Sequence, residues 1–366
     1  MILLMIGAAF LIGFAAFSRW YRRIWNKNLS LDLRFSEDGI FEGETGEIVE
    51  TVTNAKLTPL LSASVSFRTP RFLSYDGQKF AHEFYREDSV SVFSYESLAR
   101  RIPFTALRRG RYTLDDAGAA AIDPLFRAKY ICGSPASCSV FVYPRVKDVE
   151  NFHIDFQRLT GQILARRTLV EDPFFFRGVR DWTPADSMRH VNWNATAKTG
   201  ALKVNQFGSA QSQNVLLLLD FDGYNKYDHE ELREDIIRIA AYLAGILLKS
   251  GAATGLVTNA PESGGVRMDP SCRNGRSQYF HLLRRMACID AGKTVCPFSR
   301  ILDRLCRRGP DAQCVLISYY AGPELDERVR RLSSRGTAVS WILLRDKSRR
   351  VDDKPQSKTF LCEVEY

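Results

Sequence analysis

The sequence predicts a multidomain chain: an N-terminal transmembrane helix, an all-β sandwich, then an α/β open parallel sheet. Three observations predict it. Residues 1–18, MILLMIGAAFLIGFAAFS, carry no charged side chain. From residue 28 to about 145, short runs alternate apolar and polar residues with turn residues between them, the period of half-buried strands. From Val215 the pattern becomes continuous apolar runs separated by amphipathic stretches, as in parallel strands that are buried on both faces and joined by helices.

At 1.5 Å per residue, the first 18 residues span roughly 27 Å, just short of a ~30 Å hydrocarbon core. Residues 19–27 then form a basic juxtamembrane segment. In it Trp20, Tyr21 and Trp25 suit the headgroup zone, and Arg19, Arg22, Arg23 and Lys27 can snorkel. A cleaved signal peptide puts its positive charges ahead of the apolar run; here they follow it. The positive-inside rule then predicts a single-pass protein of the cell membrane with its soluble domains in the cytoplasm. The eight cysteines agree: none forms a C-x-x-C pair or a zinc-finger spacing, and several lie in apolar surroundings, as free thiols do in a reducing compartment. The net charge is +9, and beyond the N-terminus the surplus is scattered as doublets such as Arg100/Arg101. No run of like charges marks a nucleic-acid tail, so no nucleic-acid partner is expected.

The sandwich, residues 28–145, is assembled from LSLDLRF, GEIVETVTN, SASVSFRT, SVSVFSY, ARRIPFTAL, GRYTL, AAAID and CSVFVY. Residues 146–211 form a connecting segment, in which the tract from Asn151 to Val170 fits a helix or irregular turns. Residues 212–366 form the α/β domain. It opens with VLLLLD, ending in Asp220, followed by a helix from about Glu230 to Lys249 with Leu232, Ile236, Ile239, Leu243 and Leu247 as its apolar stripe. Strand ATGLVT, helices SQYFHLLRRMA and FSRILDRLCRR, strand AQCVLIS, helix PELDERVRRLSS and strand AVSWILL come next, and TFLCEVEY adds an edge strand.

Most catalytic signatures are missing. Gly292–Thr294 reads GKT, but Ala287 stands where a phosphate loop needs glycine. No G-x-G-x-x-G follows a strand, no G-x-S-x-G elbow occurs, and the five histidines are isolated. Asp220-Phe221-Asp222-Gly223-Tyr224 places two carboxylates at the carboxyl end of the first parallel strand, where open α/β sheets bind ligands. Aspartates two apart could offer oxygens to Mg²⁺ or Ca²⁺. That pattern carries one functional reading, a divalent-metal-dependent ligand-binding or hydrolytic domain using Asp220 and Asp222. The other reading of the pair is polar capping of a strand-to-helix turn. The loop after AQCVLIS, Tyr319-Tyr320-Ala321-Gly322, offers no acid until Glu324.

The most distinctive stretch is RGVRDWTPADSMRHVNWNATAKTGALKV, Arg177 to Val204. Arg180, Asp186 and Arg189 can form bidentate guanidinium–carboxylate pairs, and Trp182 and Trp193 can stack on a guanidinium or pack under the sheet. Thr183-Pro184-Ala185-Asp186 reads as a turn, with Asp186 able to cap a short helix after it. No nucleophile, base and orienting group can be assembled from the stretch, which points away from an enzyme. A structural clasp and a docking or ligand surface are the two readings it allows.

This stretch resembles the signature of the domain of unknown function 58 family. Arg180, Asp186, Arg189, Trp193, Ala197, Gly200 and Leu202 match its pattern, and Trp182, Val191 and Lys198 replace family residues conservatively; Ala185 stands where glycine is usual. Upstream, RRGRYTLDDAGAAAIDPLFRAK and VFVYPR resemble the family's lead-in, so the likeness spans about 108–222. The resemblance implies a membrane-anchored protein whose C-terminal domain is similar to von Willebrand factor A domains, with a MoxR-type AAA+ ATPase as partner. Of the A-domain metal motif D-x-S-x-S, Asp220 is kept, while Asp222 and Tyr224 replace the serines. The function implied is a membrane-anchored, non-enzymatic adaptor or scaffold working with that ATPase in the cell envelope. Arg180, Trp182, Asp186, Arg189, Trp193, Lys198 and Gly200 would be its signature or docking residues.

Overall fold

The computed structural model describes residues 2–75, 84–123, 128–134, 137–146, 160–162, 176–184, 186–207, 213–222, 230–262, 270–309, 312–346, 357 and 359–364. The chain divides into two units, Met1–Arg145 and Val146–Tyr366. The first contains helix α1 (Ile2–Ile24) and strands β1 (Leu29–Phe35), β2 (Gly39–Phe41), β3 (Thr45–Asn54), β4 (Leu60–Thr69), β5 (Leu73–Tyr75), β6 (Phe84–Val92), β7 (Ser97–Ala106), β8 (Gly110–Leu114), β9 (Gly118–Ile122), β10 (Lys129–Gly133) and β11 (Cys138–Tyr143).

These strands form three sheets, ordered β1-β3-β7-β5, β10-β9-β4-β6 and β2-β11-β8. The alternation of the sequence decides which face is buried. Along β3, Ile48, Glu50, Val52 and Asn54 point inward while Glu47, Val49, Thr51 and Thr53 are half-exposed. All three sheets contribute to one core, through residues such as Ile48, Phe67 and Leu114. Glu50 is a carboxylate in that inward row. Burial pushes its pKa up, and the Arg100 guanidinium, 3.0 and 3.1 Å from its two oxygens, pulls it back.

Helix α1 corrects the expectation of a membrane anchor. Among the described residues, no helix is long and apolar enough to cross a membrane. The apolar run is diluted by Gly7, Gly13 and four alanines, and the last turns of the helix carry Arg19, Arg22 and Arg23. Of the three aromatic residues assigned to a headgroup zone, Trp20 is 50% exposed and the other two do different work. Tyr21 and Trp25 are buried in the core of the first unit, Trp25 with only 4% of its surface exposed, and both rings lie about 6 Å from the ring of Tyr130 on β10. The expected transmembrane helix over residues 1–18, the juxtamembrane role of 19–27 and the single-pass membrane location with cytoplasmic domains are therefore withdrawn.

In the second unit, β12 (Phe176–Asp181), helix α2 (Trp193–Thr199) and β13 (Lys203–Phe207) precede the main sheet. That sheet is built from β14 (Asn214–Leu219), α3 (Glu230–Lys249), β15 (Ala253–Thr258), α4 (Arg276–Cys288), α5 (Phe298–Arg308), β16 (Gln313–Ser318), α6 (Pro323–Ser334), β17 (Val339–Asp346) and β18 (Thr359–Val364). Its order is β15-β14-β16-β17-β18 and every pairing is parallel. The continuous apolar runs follow from burial on two faces. Leu216, Leu218, Cys314, Leu316, Trp341 and Leu343 pack under α5 and α6, and the alternate residues Val215, Leu217, Leu219, Val315 and Ile317 are just as buried on the other side, where α3 packs on β14. The strand order reverses between β14 and β16, which opens a crevice at their carboxyl ends. All eight cysteines are free; burial pushes Cys314 and Cys362 up to about 12, so both remain thiols at neutral pH. The tract Asn151–Val170 lies outside the described residues except at 160–162.

Trp25→Ala tests the placement of the helix end. It empties a buried aromatic site, and the first unit should lose about 3–5 kcal/mol. Urea unfolding would show this as a lower midpoint; an unchanged midpoint would mean that Trp25 is not part of this core.

Candidate functional site

The carboxyl edge of the parallel sheet brings together three separate parts of the chain. β14 delivers Asp220, Phe221 and Asp222; β15 ends at Thr258 and delivers Asn259; α5 begins at Phe298. Asp220 is only 3% exposed, and its Oδ1 accepts the Asp222 N–H at 2.8 Å. Asn259 faces both ways: its Oδ1 accepts the Phe221 N–H at 3.0 Å and its Nδ2 donates to Asp222 Oδ1 at 2.7 Å. The second Asp222 oxygen accepts the Phe298 N–H at 2.5 Å. Asp222 thus satisfies an otherwise orphan amide in the first turn of α5, where a negative charge also complements the helix dipole.

Electrostatics sets the two carboxylates apart. Burial raises the Asp220 pKa well above the ordinary range, and the neighbouring Asp222 charge raises it further, against the hydrogen bonds from the Asp222 amide and Asn259. Burial also raises Asp222, opposed by the Phe298 and Asn259 hydrogen bonds. Across the crevice, Tyr319 is buried beyond the end of β16. Burial raises its pKa, and Arg233 from α3 draws it down. The Trp341 indole N–H donates to Ser318 Oγ at 2.8 Å, and that hydroxyl donates to the Tyr320 carbonyl at 2.9 Å, which pins the facing loop.

As a metal site this edge is poorly provided. Both Asp222 oxygens are turned to protein donors, and Glu324 is paired with Arg328 at 2.8 Å. Among the described residues, no group of three or more His, Cys, Asp or Glu side chains converges. Gly223 and Tyr224 lie outside the described residues. The donor set suits capping and cross-linking of backbone better than Mg²⁺ or Ca²⁺. Sequence reasoning missed Asn259 and the Phe298 amide. Asn259 had a signal, since it ends an apolar strand run at the same edge as Asp220; the amide had none.

The signature stretch forms a separate module. β12 and β13 pair antiparallel, with Arg180 opposite Val204 and Asp181 opposite Lys203. Arg180 donates through both terminal nitrogens to the two Asp186 oxygens, each at 2.6 Å. The Thr183 N–H and hydroxyl add bonds to Asp186 at 2.9 and 2.7 Å. Arg180, with Thr183 behind it, holds the Asp186 carboxyl well below the usual carboxylate range. Asp186 therefore closes the turn from Thr183 and does not cap the next helical turn. Ser187 caps that 3-10 turn, Met188–His190, and Asn192 caps α2 by accepting the Ala195 N–H at 3.0 Å while donating to Asn205 Oδ1 at 2.7 Å. Gly200 ends α2 in the left-handed region at φ 71°, where a side chain would be strained, and its N–H returns to the Thr196 carbonyl. Arg189 stands exposed and outside the Arg180–Asp186 pair. Trp182 is half-buried, Lys198 is exposed, and Trp193 is 63% exposed. Ala185 lies outside the described residues.

Both places fall within one family likeness. Residues 178–351 match the protein family of unknown function DUF58. The uncharacterized protein YeaD of Bacillus subtilis is 25% identical over 124 residues, which is 33% of this chain and 29% of YeaD, so the match spans less than a third of that relative's length. Among solved structures, the CARDB domain of the PF1109 protein from Pyrococcus furiosus overlaps 32% of this chain and 93% of its own, at 13% identity and a TM-score of 0.22. The sporulation control protein Spo0M of Bacillus subtilis overlaps 36% of this chain and 56% of its own, at 14% identity and a TM-score of 0.21. Scores this low assign neither a fold nor a function.

The raised Asp220 pKa makes a signed prediction. A carboxyl whose folded pKa is raised stabilises fully below its unfolded value, and that contribution is lost as pH rises through the folded value. Asp220→Asn keeps an oxygen for the Asp222 N–H and removes the titration. Its melting temperature relative to wild type should rise from pH 5 to pH 8, with a residual slope from Asp222. Parallel pH profiles for the two proteins would refute the assignment.

Proposed function

We propose that this protein is a non-enzymatic adaptor that docks a partner protein through the module Arg180–Leu202, and that the partner is a MoxR-type AAA+ ATPase. The observation that carries the reading is the exposure of Trp193 on a backbone that is otherwise fixed. Indole rings left in water are costly, and they recur as anchors of protein interfaces. Here the ring stands on a helix held at both ends, by Asn192 and by Gly200, beside a turn locked by the Arg180–Asp186 pair. Little ordering is left to be lost on binding. The family likeness supports the reading, since it includes this module, and the parallel five-stranded sheet supports a von Willebrand factor A-like platform behind it. In this reading Asp220 and Asp222 keep the sheet edge in shape rather than act on a substrate.

The test uses the full chain with a photoreactive amino acid at the exposed position 194, beside Trp193, together with the AAA+ ATPase of the same cell. A cross-link to the ATPase is expected. Trp193→Ala should weaken binding of the purified pair by on the order of 30-fold, the scale of an interface anchor. Absence of a cross-link in every nucleotide state would remove the ATPase, and an unchanged affinity in Trp193→Ala would remove the module.

A further inference from the structure

The docking reading leaves the chemistry of the bound segment open, and the charge layout of the module addresses it. Successive helical residues turn by about 100°, so Trp193, Asn194, Ala197 and Lys198 share the outer face of α2. All four are exposed or half-exposed. Thr196, on the opposite side, turns inward and accepts the Lys203 N–H at 3.0 Å. On that outer face, Ala197 and Asn194 fall between the indole and the lysine. The preceding 3-10 turn adds Met188, 57% exposed, and the exposed Arg189.

The acids of the module are already committed. From Arg180 to Phe207 the only carboxylates are Asp181 and Asp186. Asp181 pairs with Lys203 at 2.6 Å, and Asp186 takes both terminal nitrogens of Arg180. Among the described residues, Arg189 and Lys198 have no acidic partner. The module therefore exposes two large apolar side chains, Trp193 and Met188, and two cations, Arg189 and Lys198, without an acidic partner among the described residues.

We infer that this face binds an acidic segment of the partner, in which carboxylates flank an apolar side chain. The inference rests on the docking reading above and specifies the chemistry of its ligand. The apolar side chain packs on the Trp193 indole beside Ala197, and the carboxylates pair with Arg189 and Lys198. Two cations around an aromatic surface are too few for the alternatives. Polybasic lipid recognition draws on clusters of roughly 4–8 lysines and arginines, and strong phosphate-backbone binding on about 6–10 contacts. Carboxylates on a protein segment need only one cation each, and the pairing sets specificity and the rate of encounter.

The experiment titrates the full chain with short synthetic peptides and follows heat and tryptophan fluorescence. One peptide carries glutamates around a leucine and a phenylalanine, and a second replaces each glutamate with glutamine. The acidic peptide should bind on the order of tenfold more tightly than its glutamine counterpart, and added salt should reduce the difference. The double variant Arg189→Glu/Lys198→Glu should lose on the order of tenfold in affinity for the acidic peptide. The control Arg307→Glu/Arg308→Glu changes the net charge equally at the end of α5 and should lose no more than about twofold. Circular dichroism establishes that both variants are folded. Equal binding of the two peptides, or equal losses in the two double variants, overturns the inference. So does tighter, Arg189-dependent binding of phosphatidylglycerol vesicles or of single-stranded DNA. If the peptides fail while the cross-link at position 194 still captures the ATPase, the docking reading stands and the acidic ligand falls. If the cross-link fails as well, the ATPase falls with the acidic ligand.

Discussion

The Asp222 carboxylate is the fastening on which the carboxyl edge of the parallel sheet depends. One oxygen takes the Asn259 amide and the other takes the Phe298 N–H. Asn259 in turn accepts the Phe221 N–H, so the end of β14, the end of β15 and the start of α5 share one set of hydrogen bonds. Hydrogen bonds to a charged group are each worth about 1.5–3 kcal/mol, and no apolar packing could replace them at a strand end where backbone amides must be satisfied. The same edge holds Asp220, whose pKa is raised by burial and by the Asp222 charge, against the hydrogen bonds from the Asp222 amide and Asn259.

This arrangement accounts for two carboxylates at a crevice without requiring chemistry from them. Acids at the switch point of an open α/β sheet invite a catalytic or metal-binding interpretation, because ligands collect there. Each Asp222 oxygen accepts a protein N–H, and among the described residues no group of three or more His, Cys, Asp or Glu side chains converges there. In the proposed docking reading, the crevice is a structural edge and the module of β12, α2 and β13 carries the contact surface.

Much of the second unit was legible because burial on two faces writes itself as unbroken apolar runs. VLLLL became β14, and the leucine–isoleucine stripe became α3 over Glu230–Lys249. The Arg180–Asp186 pair was also legible, since six residues with a turn between them suit a bidentate fork. The role of Asp186 was only half visible: the residue after it, Ser187, took the cap. Phe298 was invisible, because a backbone amide contributed from 76 residues beyond Asp222 leaves no mark on the side-chain sequence. The N-terminus was misread for a physical reason. Tyr and Trp next to arginines suit a lipid headgroup, but the same amphipathic rings suit the rim of a β-core, where the indole is buried and the guanidinium stays wet. Composition does not separate these cases; the packing of Tyr21 and Trp25 against Tyr130 does.

The signature uses arginine in two ways. Arg180 gives both arms to Asp186, so its charge is cancelled locally and its geometry is fixed; this is guanidinium as a strut. Arg189 lies nine residues later, next to an exposed methionine and a tryptophan left in water, and no acid in the module answers it. The struts make sense as support for the exposed residues. In the proposed docking reading, Asn192, Gly200, Thr183 and Asp186 hold still the surface that Trp193, Arg189 and Lys198 present, so that binding energy would not be consumed in ordering a loop.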